Sequence, residues 1–244
     1  MKNFFKRRST NMSAPTQQPQ TDSKPHVMTS PPRSTEDTTF TQPLAKQDFT
    51  SPPRILIIGA GSRGTAYAEA ALTCSNAVIA AICEPISHKR QAFGRKFIWN
   101  DEPPEVGQEF DDWTAWVEYE TARRVKQANG KEVEKGVDAV FVCVLDEMHE
   151  RVICDIAPLG LHLCCEKPLS TSLESCVKIY KALKSSASTT GKESIFGICH
   201  VLRYSPHNML LRQLLLEKEV IGEVLSMEHV EPVGWWHFSV SLLY

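Results

Sequence analysis

The chain has 244 residues, 42% of them hydrophobic, and a formal net charge of −2. That length supports one large domain or two small ones with a real core. The near-neutral balance argues against a nucleic-acid partner or a membrane-surface partner, and no apolar run approaches the ~20 residues of a membrane span.

Residues 1–53 are rich in Ser, Thr, Pro and Gln and carry almost no hydrophobic periodicity. Such a segment buries too little apolar surface to offset its ordering entropy, so a disordered tail is expected. Its first residues, Lys2 to Arg8, are basic, with Phe4 and Phe5 among them. No apolar stretch follows, which excludes a secretory signal. The lack of acidic residues before Asp22 is compatible with a mitochondrial transit segment. A cytoplasmic chain with a plain disordered tail is the simpler expectation.

From Arg54 onward, strand-like and helix-like segments alternate. Strands are expected at 54–58, 77–83, 137–145, 160–166 and 194–202. Helices are expected at 62–74, 86–97, 147–158 and 172–186. In the first helix, Ala66, Ala68, Ala70 and Ala71 give a thin face for close packing on a sheet. The run at 137–145 is continuously apolar, as suits a strand covered on both faces. Thr171 and Glu174 have capping-box spacing for the helix after Pro168. This βαβα order predicts an α/β fold with a parallel, doubly wound sheet of the Rossmann type.

The segment 99–136 interrupts that rhythm. Residues 111–128 read as helical, with Trp113, Trp116, Val117 and Val125 able to share one side, and Asn129-Gly130 signals a turn. A packed surface insertion is expected there, rather than a binding role for the tryptophans.

Residues 55–64 read Ile-Leu-Ile-Ile-Gly-Ala-Gly-Ser-Arg-Gly, an apolar strand running through Gly59, Gly61, Ser62, Arg63 and Gly64 into a helix. The pattern Gly-x-Gly-x-x-Gly is weak alone and informative between strand and helix. One glycine permits the tight turn, one lets the backbone approach a pyrophosphate, and one lets helix pack on strand. The helix start then presents free N–H groups and a positive dipole end to phosphates. The second strand ends at Glu84, about 20 residues past the last glycine, where a carboxylate accepts hydrogen bonds from ribose hydroxyls. A carboxylate there also repels a 2′-phosphate, so NAD is favoured over NADP. His88, Lys89 and Arg90 lie just beyond and keep NADP open, although a solvated helix face is the blander reading. Arg63 either lies near the adenine side or points into water.

A second constellation, Cys165-Glu166-Lys167-Pro168, directly follows a predicted strand. Strand carboxyl ends line the crevice where open α/β sheets bind ligands. A lysine there can hydrogen-bond a substrate oxygen and help move its proton, with Glu166 to orient it. The competing reading is a salt-bridged lysine at a helix start. None of the eight cysteines forms a CxxC pair, and Cys164 and Cys165 point to opposite faces of one strand. They read as small buried hydrophobes in a reducing compartment, and no metal site is expected.

Taken together, the glycines, Glu84-Pro85 and Glu166-Lys167-Pro168-Leu169 resemble the glucose-fructose oxidoreductase/inositol dehydrogenase (Gfo/Idh/MocA) family. Residues 203–206 and 220–224 are also similar to that family's junction between domains. The resemblance covers Arg54 to about Phe238. It implies an NAD(P)-dependent oxidoreductase acting on sugars, polyols or related small molecules, with a Rossmann domain at 54–203 and an α/β substrate domain beginning at 204. It further implies that Lys167 is the catalytic or substrate-positioning lysine and that Glu166 contacts the nicotinamide ribose. Leu145, Asp146 and His149 match the loop that passes beside the cofactor, and Arg203 would lie near the crevice floor. His149 alternatively reads as a surface residue at a helix start.

The family pattern is incomplete in residues 204–244. Residues 224–230 resemble the first strand of the second domain, residues 234–238 resemble the opening of its next segment, and His237 reads as an ordinary residue there. The open sheet and usual oligomer surface of the family have no counterpart, so an incomplete second domain, a sticky apolar C-terminal region and weak turnover are expected. The rival class is a non-enzymatic, cofactor-sensing regulator, which needs the glycines and Glu84 but not Lys167.

Overall fold

A computed structural model describes residues 51–74, 77–100, 102–190, 194–232 and 234–235. The tail expected at 1–53 lies almost wholly outside the described residues, as does His237.

Six parallel strands form one sheet: β1 (Arg54–Ile58), β2 (Val78–Cys83), β3 (Glu109–Phe110), β4 (Ala139–Val142), β5 (His162–Cys165) and β6 (Phe196–Ile198). Their spatial order is β3-β2-β1-β4-β5-β6, the doubly wound order of dinucleotide-binding folds. The reversal of direction across β1 and β4 opens a crevice at the carboxyl ends of the strands. The main helices are α1 (Ser62–Cys74), α2 (Ser87–Phe97), α3 (Trp113–Ala128), α4 (His149–Ile156) and α5 (Leu173–Thr190).

Strand periodicity sorts the core into two layers. Leu56 and Ile58 of β1 join Val140, Val142, Leu163 and residues of α3, α4 and α5 on one face. Ile55 and Ile57 join Ile79, Ile82, Ala68, Ala71 and Phe93 on the other, under α1 and α2. Of the four alanines expected on the packing face of α1, Ala68 and Ala71 are buried while Ala66 and Ala70 are exposed.

The segment 99–136 is not a surface insertion. It supplies the edge strand β3, whose Glu109 and Phe110 pair with Ile82 and Cys83, and then α3, which covers the sheet. Asp112 caps α3 by accepting from the Thr114 and Ala115 amides at 2.7 and 3.0 Å. Trp113 and Trp116 are buried in the main core, and the Trp113 indole donates to Asp155 on α4 at 2.9 Å. Val125 lies on the exposed side of α3. The sequence does not announce β3, because two residues are too few to show a period.

The strands are shorter than the apolar runs that announce them. The run at 137–145 yields β4 at Ala139–Val142 and then a 3₁₀ turn over Asp146–Met148. The run at 194–202 yields β6 at Phe196–Ile198, followed by a 3₁₀ turn over Val201–Tyr204. The cap of α5 is Ser172 rather than Thr171, since its hydroxyl accepts from the Ser175 amide at 3.1 Å. Beyond β6, α6 (Pro206–Arg212) and a wider helical turn at Gln213–Glu217 have no buried residues. The strand expected at 224–230 does not form: these residues are exposed and unpaired in any sheet. A strand has no stability of its own without neighbours to bond its backbone and cover its apolar face.

Candidate functional site

The crevice begins where β1 turns into α1. Gly59 has φ of +100°, and a Cβ there would stand 2.5 Å from the Cys143 carbonyl oxygen. Only glycine satisfies both constraints. At Gly64 an added Cβ would overlap the Gly59 carbonyl oxygen, so helix and loop touch through bare backbone. Gly61 differs: an added Cβ would find no heavy atom within 4 Å. Its openness faces solvent, at the position where a ligand needs to approach the backbone. Ser62 and Arg63 are exposed at the first turn of α1, where amides have no partner within the helix.

Glu84 stands buried at the end of β2. One carboxylate oxygen accepts from the Ala60 amide at 2.9 Å and the other from the Ile86 amide at 3.0 Å. It therefore ties the glycine loop to the start of α2 and presents an acceptor at the crevice edge. Of the neighbouring cations, Arg90 is held away: it donates to the Glu84 carbonyl at 2.6 Å and pairs with Glu109 and Asp111 at 3.4 and 2.9 Å. His88 is exposed and Lys89 half-buried.

On the other side of the crevice, Glu166 follows β5. Its carboxylate accepts from the Tyr67 hydroxyl and from the Lys167 amide. Burial, followed by the hydrogen bonds to Glu166 and Cys199, pushes the Tyr67 phenol above its ordinary range. Tyr67 thus remains a neutral donor that aims the Glu166 carboxylate. The Lys167 side chain is exposed, and no ion pair engages it among the described residues. The Lys167–Pro168 peptide bond is cis.

Leu145 and Asp146 are exposed on the loop after β4, beside the glycine turn that Cys143 touches. His149 is not a surface residue. Its ring is fully buried at the start of α4, with Nδ1 2.9 Å from the Pro168 carbonyl oxygen and Nε2 3.2 Å from that of Val144. A neutral imidazole has one N–H, so the ring donates to one of these carbonyls and packs beside the other, lodged between the β4 and β5 loops. Arg203 is exposed in the 3₁₀ turn past β6.

Sequence reasoning misses Tyr67, because the alanines dominate the pattern of α1, and it misses the sulfur pair of Cys164 and Cys199. The pairing needs the β5–β6 register, which no motif encodes. A cavity of about 780 Å³ lies elsewhere, between the end of α3 and the amino ends of β4 and β5. Its two arginines, Arg123 and Arg124, are committed to Glu120 at 2.7 Å each.

Residues 53–191 match the GFO_IDH_MocA family, described as an oxidoreductase family with an NAD-binding Rossmann fold. The chain belongs to this family. Among curated proteins, the 2,7-anhydro-N-acetylneuraminate hydratase of Escherichia coli (strain K12) is 34% identical over 101 residues, 41% of this chain and 25% of the relative. The inositol 2-dehydrogenase 2 of Saccharopolyspora erythraea is 28% identical over 116 residues, 48% of this chain and 32% of the relative. The chain therefore spans about a quarter to a third of these family members.

Among solved structures, the myo-inositol 2-dehydrogenase from Lactobacillus plantarum superposes with a TM-score of 0.56 at 18% identity, over 71% of this chain and 43% of that one. The WlbA dehydrogenase from Bordetella pertussis, solved with NADH and UDP-GlcNAcA, gives a TM-score of 0.53 at 16% identity, over 71% and 42%. These likenesses establish the Rossmann-type α/β fold. No helix among the described residues is long and apolar enough to cross a membrane.

Proposed function

We propose that this chain holds NAD(H) along the carboxyl ends of β1, β2, β4 and β5 and serves hydride transfer with a sugar, polyol or related small molecule. The observation that carries the reading is the buried Glu84 carboxylate anchored on the Ala60 amide of the glycine loop at 2.9 Å. A carboxylate so placed accepts ribose hydroxyls and repels a 2′-phosphate. The engagement of Arg90 with Glu109 and Asp111 supports NAD over NADP, since it leaves that guanidinium unavailable to a 2′-phosphate.

The residues fit the cofactor. The open space at Gly61 admits a pyrophosphate against the backbone, and the amides of Ser62, Arg63 and Gly64 give it donors and a positive helix end. Leu145 and Asp146 border the same groove. Glu166, aimed by Tyr67, offers an acceptor to the nicotinamide ribose, and His149 fixes the two loops between which it lies. When bound, NAD supplies the hydride acceptor or, reduced, the donor. Lys167 hydrogen-bonds the reacting oxygen of the substrate and takes up or returns its proton. The inositol dehydrogenases among the relatives support a polyol or sugar as the substrate class.

Two variants test this. Glu84→Ala should narrow the preference for NADH over NADPH by about tenfold, or about 1.4 kcal/mol. Lys167→Ala should leave the NADH dissociation constant within about twofold while removing turnover in any longer form that shows it. Collapse of NADH binding in Lys167→Ala would contradict the role given to the lysine.

A further inference from the structure

Cys164 on β5 and Cys199 just past β6 come together across the last strand pair. Cys164 sits opposite Gly197, and the Cys199 amide donates to the Cys165 carbonyl at 2.8 Å. This register places both side chains on one face, with Sγ–Sγ at 3.3 Å. Both residues are partly exposed. The pair also lies beside the crevice, because the Cys199 amide donates to the carbonyl of Cys165, the residue directly before Glu166.

We propose that Cys164 and Cys199 form a peroxide-sensitive dithiol that closes to a reversible disulfide and thereby links thiol oxidation to the Glu166 end of the crevice. The two thiols are unequal. The Cys164 hydrogen bond outweighs burial at Cys199 and, with Tyr67, lowers its thiol to about 7. The same hydrogen bond, together with burial, raises Cys164. In the proposed sequence Cys199, the thiol that the Cys164 hydrogen bond lowers, attacks and Cys164 resolves.

In the first step the Cys199 sulfur bonds one peroxide oxygen, the O–O bond breaks, and the departing oxygen takes a proton to leave as water. The product is a sulfenic acid on Cys199. In the second, Cys164 attacks that sulfur. The S–S bond forms, the S–O bond breaks, and the hydroxyl leaves as water with the Cys164 proton. Two thiols lose two electrons and two protons, and hydrogen peroxide is reduced to two waters. Drawing the two sulfurs from 3.3 Å to bonding distance pulls the ends of β5 and β6 together directly before Glu166.

The dithiol stands independently of the cofactor reading, whereas its effect on the crevice rests on it. The test treats the reduced chain with hydrogen peroxide, maps crosslinked peptides without reductant, and titrates NADH before oxidation, after it, and after dithiothreitol. The expected result is a Cys164–Cys199 crosslink lacking two hydrogens, a reversible fall in NADH affinity of about tenfold, and a Cys199 sulfenic acid trapped by dimedone in Cys164→Ser. Crosslinks between other cysteines, or peroxide consumption with Cys164 and Cys199 still free, would overturn the dithiol. The Cys164–Cys199 crosslink with unchanged NADH affinity would overturn the link to the crevice. A protein that forms the crosslink but binds NADH in neither state would support the dithiol and fail the cofactor reading instead.

Discussion

Trp116 and Trp235 are the same side chain in two settings. Trp116 is 1% exposed, packed between α3 and the sheet, whereas Trp235 is 80% exposed in the segment that follows β6. Both segments are rich in apolar residues, and Leu225, at 89% exposed, is no less hydrophobic than Leu56 at 0%. The difference is the neighbours. Each strand of the sheet is bonded on at least one side and covered by helices, while residues 224–230 find no strand to pair with. Apolar content makes burial favourable, but only a surrounding lattice of strands and helices makes it available.

The largest expected effect probes the covered side of this contrast. Trp116→Ala should cost about 3–5 kcal/mol of stability, the range for deleting a large buried aromatic ring, read as a lowered denaturation midpoint. Next comes Glu120, buried on α3 with Arg123 and Arg124 on its carboxylate. Glu120→Gln should cost about 3 kcal/mol, because it leaves two guanidinium groups partly unpaired. Burial opposes ionisation of Glu120, yet the hydrogen bonds and charges of the two arginines outweigh it and hold its pKa below the ordinary range. The folded-state value is thus depressed. Its contribution is fully present above the unfolded value of about 4.3 and is lost as pH falls through the folded value. Acid titrations of stability should show this loss below about pH 4 in the wild type and not in the glutamine variant.

Smaller effects separate packing from binding within the glycine loop. Gly64→Ala should destabilise by about 1–3 kcal/mol through its clash with the Gly59 carbonyl. Gly61→Ala should stay within about 0.5 kcal/mol, because nothing lies within 4 Å of the added carbon, and should still weaken NADH binding. If Gly61→Ala proved as destabilising as Gly64→Ala, the division of labour among the glycines would be wrong. The smallest effect belongs to the uncovered side. Trp235→Ala should change stability by no more than about 0.5 kcal/mol, and a cost close to that of Trp116→Ala would break the comparison outright.

The glycine loop and the strand-to-helix alternation are legible in the sequence because they are local: Gly59, Gly61, Gly64 and Glu84 announce themselves by spacing. The segment 99–136 defeats such a reading because β3 has two residues and pairs with residues 27 positions earlier in the chain, beyond the reach of any periodicity. Lys167 and Glu166 are visible as a motif, but the donor that aims Glu166, Tyr67, is 99 positions away. Family resemblance assigns His149 to the cofactor loop, but no motif foretells that its buried ring lies within hydrogen-bond reach of the Pro168 and Val144 carbonyls. What sequence spacing conveys is the site's frame, while the bonds that orient the frame depend on register between distant strands.

The most direct test of the central reading is a titration of the purified chain with NADH and with NADPH, followed by fluorescence or calorimetry. Saturable NADH binding, tighter than NADPH and weakened by Glu84→Ala, is the result expected of a crevice built around Gly61 and Glu84. A folded chain that binds neither nucleotide, or that prefers NADPH, would contradict it.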